Sequence, residues 1–281
     1  MAVRSETATS STIEEIEIKL LLEGVSMRYG YDFREYALGP LRRSIAAGMA
    51  AEGVSTISAY LERLLYDASC MQRFLSGVGV NVTNMFRETD VLRCFREEII
   101  PRLRTYPSVR IWIAGCATGE EVYSVAIMLQ EEGLHERSRI YATELNENSL
   151  AVARTGAYPL DRVRADEAAY ANSGGRGRIS DFYSVAGSKA RFRRELQRNV
   201  TWARHNLVTD SSFNEFHLIL CANVLIYFKP SLQERAHRLF YDSLIRSGYL
   251  ALGQLESLIF CPESSRYEQV RDGVNLFRKA R

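Results

Sequence analysis

Two adjacent carboxylates follow a glycine-bounded turn near the middle of this chain. Residues 111–124 read IWIAGCATGEEVYS, so Glu120 and Glu121 stand directly after Gly115-Cys116-Ala117-Thr118-Gly119. Glycine lets a backbone approach a ligand closely. The Lys-Ser/Thr pair of a phosphate-binding loop is absent. Carboxylates where a phosphate cradle would offer positive charge call for a bound group with an amine, a cation or hydroxyls. Glu120 also has a second reading, as a first-turn residue favoured by the helix dipole. A second unusual stretch is VNVTNMFRE at 80–88. Asn81, Thr83 and Asn84 are turn and capping residues, and Arg87 directly follows apolar Met85 and Phe86.

The elements that must position these groups can be read from periodicity. Ile111 to Ala114 forms an apolar run typical of a buried strand, and Val122, Val125, Ala126 and Leu129 repeat at helical spacing. Strand, glycine turn and helix present a ligand at the carboxyl end of a first strand. From Arg110 onwards, strands are predicted at 110–115, 139–145, 200–205, 216–222 and 248–254, and helices at 119–132, 147–155 and 231–245. Ser231 with Glu234 predicts a capping box. Asp272-Gly273 predicts a hairpin turn between 266–271 and 274–279. The alternation predicts an α/β fold, with a mostly parallel sheet covered by helices on both faces.

Upstream, residues 1–10 read as a disordered tail and 11–79 as a small helical domain. Ser11-Thr12 with Glu14-Glu15 offers a capping box, and Ile57, Tyr60, Leu61, Leu64 and Leu65 form an amphipathic stripe. Arg28, Arg34, Arg42 and Arg43 are either a solvated face or a surface for an acidic partner. Residues 80–104 form a linker, helical from about Glu88 to Leu103 and broken by Pro101. Residues 161–199 interrupt the alternation as an insertion within the domain at 105–281. Pieces at Ile179 to Val185 and Ala190 to Phe192 could pair as a hairpin. Arg191, Arg193, Arg194 and Arg198 suit an acidic peptide or helix, or are solvated charge.

The chain has 281 residues, enough for a main domain with a smaller companion. A composition of 46% hydrophobic and 25% charged residues is that of an ordinary globular protein. The formal charge of +2 gives no argument for nucleic acid or a membrane surface. No apolar run is long enough to span a bilayer. The five cysteines are scattered without a Cys-x-x-Cys pair, and the four histidines do not cluster with them. That pattern predicts no metal site and no disulfide framework, with reduced thiols in the cytoplasm.

Taken together, YGYDF at 29–33, NVTNMFRE at 81–88, AGCATGEEVYS at 114–124, YATELN at 141–146, HNL at 205–207, NVLIYF at 223–228 and SGYLALGQLESL at 247–258 resemble the CheR-type chemotaxis-receptor methyltransferases. These are S-adenosylmethionine-dependent protein-glutamate O-methyltransferases. The resemblance runs from Ile16 to about Leu258. It implies a helical N-terminal domain, a linker, and a Rossmann-like methyltransferase domain with a small inserted β-subdomain. A terminal antiparallel hairpin suits the methyltransferase version of that architecture, by analogy of fold.

The resemblance also implies roles for residues. Glu121 matches the position that takes the cofactor's amino group. Glu144 matches the ribose position, where the family usually has Asp. Asn206 and Leu207 match the adenine side, and Asn223 and Val224 the methionine side. Asn81 and Thr83 match residues that close over the cofactor. Arg87 and Tyr227 match residues beside the transferring methyl and are the expected catalytic pair, with Arg87 also among the expected cofactor-binding residues. The family commonly has Cys-Arg-Asn-Val where this chain has Cys221-Ala222-Asn223-Val224. The implied partner is the helical cytoplasmic region of a chemoreceptor or related signalling protein, recognised directly, because 173–199 lacks a clear version of the glycine-containing tether-docking loop. Esterification of its glutamates is the implied reaction. The alternatives are a cofactor-binding signalling module with weak or no transfer, and methylation of a small-molecule carboxylate.

Overall fold

The computed structural model describes residues 12–78 and 83–280. It contains two compact units, 1–78 and 79–281.

The first unit is helical: α1 (Ile13–Tyr29), α2 (Leu38–Glu52), α3 (Ile57–Tyr66) and α4 (Ala68–Val78). Thr12 and Glu15 form the capping box that opens α1, and Gly30 closes it in the left-handed conformation at φ 74°. Leu21, Val25, Phe33, Tyr60, Leu64 and Phe74 are buried between the helices. Two of the arginines noted in the sequence are occupied on the unit's own surface. Arg34 lies 3.0 Å from Glu23 and 2.8 Å from Asp32, and Arg42 lies 3.2 Å from Glu14. Neither is an unpaired cation waiting for an acidic partner.

The second unit opens with a helical run of α5 (Thr89–Cys94), a π-helical turn (Phe95–Ile99) and α6 (Ile100–Leu103). Pro101 was expected to break this run. Instead, the chain widens to i→i−5 bonding one residue earlier, with Ile100 N–H donating to Phe95 O. The wider turn passes the position where the proline ring and missing N–H would disrupt an α-helix.

A seven-stranded sheet follows, formed by β1 (Val109–Ala114), β2 (Ser138–Glu144), β6 (Val200–Arg204), β7 (Phe216–Cys221), β8 (Leu244–Leu252), β9 (Tyr267–Gln269) and β10 (Leu276–Lys279). Its order is β6-β2-β1-β7-β8-β10-β9. The first five strands pair in parallel, and β10 is antiparallel to β8 and β9. The helices α7 (Glu120–Glu131), α8 (Glu147–Thr155) and α11 (Pro230–Ser243) alternate with these strands. The predicted capping box at Ser231 does not start α11. Pro230 opens the helix with Lys229 as N-cap, since the fixed φ of proline suits the first turn.

Trp112 on β1 is fully buried, with Phe213, Phe216 and Phe240 around it, and donates Nε1–H to Thr143 Oγ1 on β2 at 2.8 Å. That bond fixes the two central strands to one another while satisfying the indole's polar atom. Among the described residues no helix is long and apolar enough to cross a membrane.

The insertion is larger than its polar sequence suggests. It holds β3 (Ala157–Pro159), α9 (Leu160–Ala165), α10 (Glu167–Asn172), β4 (Tyr183–Ala186) and β5 (Lys189–Phe192), with sheet order β3-β5-β4. The predicted hairpin is β4–β5. The third strand, β3, precedes the predicted boundary, and three residues were too few to show an alternating pattern. A buried charge network joins this region to the rest. Arg96 pairs with Glu131 at 2.7 Å and Glu132 at 2.9 Å, while Arg104 and Arg176 reach Glu132 at 2.8 and 2.7 Å. Tyr170 adds its hydroxyl to Glu131.

Ser124 joins the segment before α5 to α7. It accepts Phe86 N–H at 2.9 Å and donates to Glu120 O at 2.8 Å, with both side chains almost completely buried. Ser124→Ala leaves a buried N–H without its acceptor, so it is expected to lower unfolding free energy by about 1–3 kcal/mol in urea denaturation.

Candidate active site at the carboxyl ends of the strands

Parallel strands bring their carboxyl ends to one edge of the sheet. The strand order reverses between β1 and β7, which is where an open α/β sheet leaves a crevice. The loops after β1, β2, β6 and β7 carry most of the residues singled out by sequence.

After β1, the chain turns through three left-handed residues, Gly115 at φ 74°, Ala117 at φ 47° and Gly119 at φ 94°. A Cβ on Gly115 would lie 2.5 Å from Val224 Cγ2, and one on Gly119 would lie 2.8 Å from Ala153 Cβ. Neither position tolerates a side chain in this packing. The turn delivers Glu120 and Glu121 to different places. Glu120 is buried, accepts the Thr118 hydroxyl at 2.6 Å, and lines a small cavity with Thr83, Tyr158, Arg162 and Asp166. Burial pushes its carboxyl above the usual range.

Glu121 faces a second set of charges. Burial pushes its carboxyl up to about 8, Glu88 and Glu256 reinforce the rise, and Arg87 opposes it. Among the described residues no hydrogen-bond donor satisfies this carboxylate.

Glu144 ends β2 and folds back on the loops. It accepts Ala117 N–H at 3.1 Å, Leu145 N–H at 2.7 Å and Asn146 N–H at 2.9 Å. Three of its roughly four acceptor positions are therefore occupied by backbone. The extra methylene relative to Asp lets it tie the glycine turn to its own strand end, and about one position is left for a ligand hydroxyl.

Asn206, after β6, organises its own turn: it accepts Val208 N–H at 2.9 Å on Oδ1, while its N–H donates to Asp210 at 2.9 Å. Leu207 beside it is buried.

After β7, Asn223 adopts φ 61° and donates Nδ2–H to Glu88 at 2.9 Å. Val224 packs on Gly115, and Tyr227 stands, half-buried, in a 3-10 turn (Leu225–Tyr227).

The segment at 83–88 is pinned across this edge. Met85 N–H donates to Asp166 at 2.9 Å, and Arg162 donates to Thr83 O at 2.9 Å and Asn84 Oδ1 at 3.1 Å. Glu88 accepts Gln254 N–H at 3.1 Å in addition to Asn223. Arg87 is exposed between buried Phe86 and anchored Glu88. The structure thus brings Arg87, Glu121, Asn223 and Val224 to one neighbourhood, with Glu144 tied to the same glycine turn. Asn81 lies outside the described residues.

Sequence reasoning missed Glu88 and Glu256 as members of the site. Glu256 lies within the motif quoted from the chain's end. Nothing in that motif's spacing says that its side chain reaches residues 223–225, some thirty positions upstream.

The sheet order, terminal antiparallel strands and carboxylates at the strand ends define a Rossmann-like methyltransferase domain, which follows an all-helical unit in the sequence. The chain matches the CheR methyltransferase SAM binding domain over residues 81–273 and the CheR methyltransferase all-alpha domain over 16–78. It belongs to the CheR family. Cher3 of Pseudomonas putida is 43% identical over 97% of this chain and 100% of its own. A chemotaxis protein methyltransferase of Listeria innocua is 30% identical over 82% of this chain and 86% of its own. Among solved structures, the N-methyltransferase NodS from Bradyrhizobium japonicum, in complex with S-adenosyl-L-homocysteine, matches with a TM-score of 0.34 over 61% of this chain and 63% of its own, at 17% identity. That last likeness is too distant to carry an argument.

The cofactor is S-adenosylmethionine, and the donor set fits it. Among the described residues Glu121 has no cationic hydrogen-bond partner, a place that an ammonium would fill, and Glu144 has about one acceptor position beyond its three backbone amides that a ligand hydroxyl would fill. An ammonium at Glu121 favours the ionised carboxylate, so binding at pH 7 must expel a proton from a group that holds one until about pH 8. Affinity for S-adenosylhomocysteine is expected to rise from pH 6 to 7.5. Calorimetry in buffers of different ionisation enthalpy should record close to one proton released near pH 7, and nearly none for Glu121→Gln. Glu144→Ala is expected to weaken the same binding by about tenfold or more, through loss of the loop anchor and the hydroxyl acceptor.

Proposed function

We propose that this protein transfers a methyl group from S-adenosylmethionine to glutamate side chains of a helical signalling protein of the chemoreceptor type, in the cytoplasm. The products are glutamate methyl esters and S-adenosylhomocysteine. The observation that carries this reading is the placement of Arg87. Its neighbours on both sides are locked to the sheet edge, and its charge acts on Glu121. An exposed guanidinium held there offers charge-assisted hydrogen bonds to an incoming carboxylate.

The acceptor chemistry needs little from the protein. A glutamate carboxylate has a pKa near 4.3 and is already the nucleophile at neutral pH, so no general base is required. Bound S-adenosylmethionine supplies an electrophilic methyl on a sulfonium. The protein's own residues must orient the carboxylate in line and strip its water. Arg87 holds the carboxylate, and Tyr227 lines its approach. Glu121 takes the cofactor's amino group, Glu144 a ribose hydroxyl, and Asn206 and Leu207 the adenine side. Thr83, Asn223 and Val224 complete the enclosure, with Asn81 of the same segment assigned by resemblance. Ala222 replaces the family's usual arginine, which leaves the acceptor-facing charge to Arg87. Esterification removes a negative charge from the acceptor and can shift a helix bundle between two states.

The test is transfer of labelled methyl to the helical cytoplasmic region of a receptor, read as base-labile methanol. Arg87→Ala is expected to lower transfer by about a hundredfold or more while leaving S-adenosylhomocysteine affinity within about threefold. Tight cofactor binding with no transfer by the unaltered protein would favour a binding module instead. Unchanged transfer by Arg87→Ala would remove that residue's role.

A further inference from the structure

The loop after β7 carries Asn223, Val224 and Tyr227. Asn223 is in the left-handed region at φ 61°, which asparagine tolerates and which needs support from its surroundings. Three successive N–H groups of this loop, at Asn223, Val224 and Leu225, follow the last strand residue of β7 without strand or helix partners. All three point at one side chain.

That side chain is Glu256. Its Oε1 accepts Val224 N–H at 2.8 Å and Leu225 N–H at 2.7 Å. Its Oε2 accepts Asn223 N–H at 3.0 Å and Gly253 N–H at 2.7 Å. All of a carboxylate's roughly four acceptor positions are used, and each bond has the strength of a charged acceptor. Glu256 is only 6% exposed, so water does not compete for these contacts. Its own backbone is fixed in turn: Glu256 N–H donates to Gly253 O at 3.0 Å, and Asn275 Nδ2 donates to Glu256 O at 2.7 Å and Gly253 O at 2.8 Å. Glycine at 253 is required here, since a Cβ would lie 2.8 Å from Glu256 Oε2 and 2.9 Å from Asn223 N.

We propose that Glu256 is a positioning residue for methyl transfer: its carboxylate gathers the amides of residues 223–225 and so sets Asn223, Val224 and Tyr227 against the cofactor and the acceptor. The proposal rests on the reaction assigned above. The link to Tyr227 is short, because Tyr227 N–H donates to Val224 O at 3.1 Å within the same turn. The link to the glycine turn is direct contact of Val224 with Gly115. Glu88 holds the Asn223 side chain from the opposite direction, so the loop is clamped by two carboxylates, one on its backbone and one on its amide. A hydrophobic residue of similar volume at 256 would leave four buried donors unpaired, so packing cannot be what requires a carboxylate there.

The experiment compares wild type, Glu256→Gln, Tyr227→Phe and the double variant. Glutamine keeps the shape but turns an NH2 donor toward two amide donors. Amide hydrogen exchange by NMR, with S-adenosylhomocysteine bound, should be at least about tenfold faster in Glu256→Gln at one of the two amide pairs, Val224 with Leu225 or Asn223 with Gly253, while the amides of β1 and β2 keep wild-type protection. At saturating substrates kcat should fall by about a hundredfold, with KM for the acceptor within about threefold. Tyr227→Phe should lower transfer markedly in wild type and by less than about twofold in the Glu256→Gln background, since residues acting as one unit are not additive.

Wild-type exchange at all four amides, 223, 224, 225 and 253, overturns the proposal, and so does additivity of the two substitutions. Loss of β1 and β2 protection together with the loop also overturns it, because the residue would then be serving the whole fold. A wild-type chain that methylates no glutamate acceptor overturns the reaction instead. The exchange comparison then decides alone on the hold of Glu256 on the loop: unchanged protection at 223, 224, 225 and 253 refutes that hold, and selective loss at either pair upholds it.

Discussion

Burying carboxylates is costly unless donors or cations meet them, and that constraint organises the functional edge of this protein. Glu144 is met by three backbone amides and Glu256 by four. Glu88 is met by the Asn223 amide and Gln254 N–H. These three convert carboxylate charge into loop geometry, because each ties its own segment to one distant in sequence. Glu121 is the exception: no donor among the described residues satisfies it, and burial beside Glu88 and Glu256 holds its proton on to about pH 8. The site therefore contains one carboxylate whose cost Arg87 offsets in part and an added cation would offset further. An ammonium placed there would do that, and the neighbouring carboxylates that disfavour ionisation of Glu121 in its absence would strengthen the attraction in its presence.

Much of this was legible in the chain. The parallel strands and the helices between them followed from apolar runs and helical spacing. The strand–glycine turn–helix at 111–124 located the site because its small residues and paired carboxylates are local features. The two glutamates separated as their positions require: one faces inward under Thr118 and the other faces Arg87. What the sequence did not show depends on long-range contact. Glu256 and Glu88 act on residues far away along the chain, and no periodicity encodes which backbone amides a carboxylate will collect. The start of α11 at Pro230 and the π-helical passage past Pro101 were missed for a different reason. Proline's restricted φ and absent N–H can open a helix or be absorbed by a wider turn, and the neighbouring packing decides between them.

The departures from the family pattern acquire physical meaning in the fold. Glu144 in place of the usual Asp spends its extra reach on the glycine turn and its own strand end. This ties two loops together and leaves the carboxylate about one acceptor position. Ala222 removes a guanidinium beside the loop that Glu256 holds. The positive charge acting on Glu121 comes from Arg87, whose position is set by Phe86, Glu88 and Ser124 rather than by the strand that would have carried the missing arginine. The segment at 83–88 thus contributes to the site as much as the strand ends do.

The account depends most on Glu121 being the carboxylate that awaits a cation. The direct measurement is a pH titration of the Glu121 side-chain carboxyl by carbon-detected NMR, assigned through Glu121→Gln, without and with saturating S-adenosylhomocysteine. An apparent pKa near 8 without the nucleoside, falling clearly below that with it, is the predicted result. A titration near the ordinary carboxylate value in the free protein, or one that the nucleoside leaves unmoved, would contradict the account.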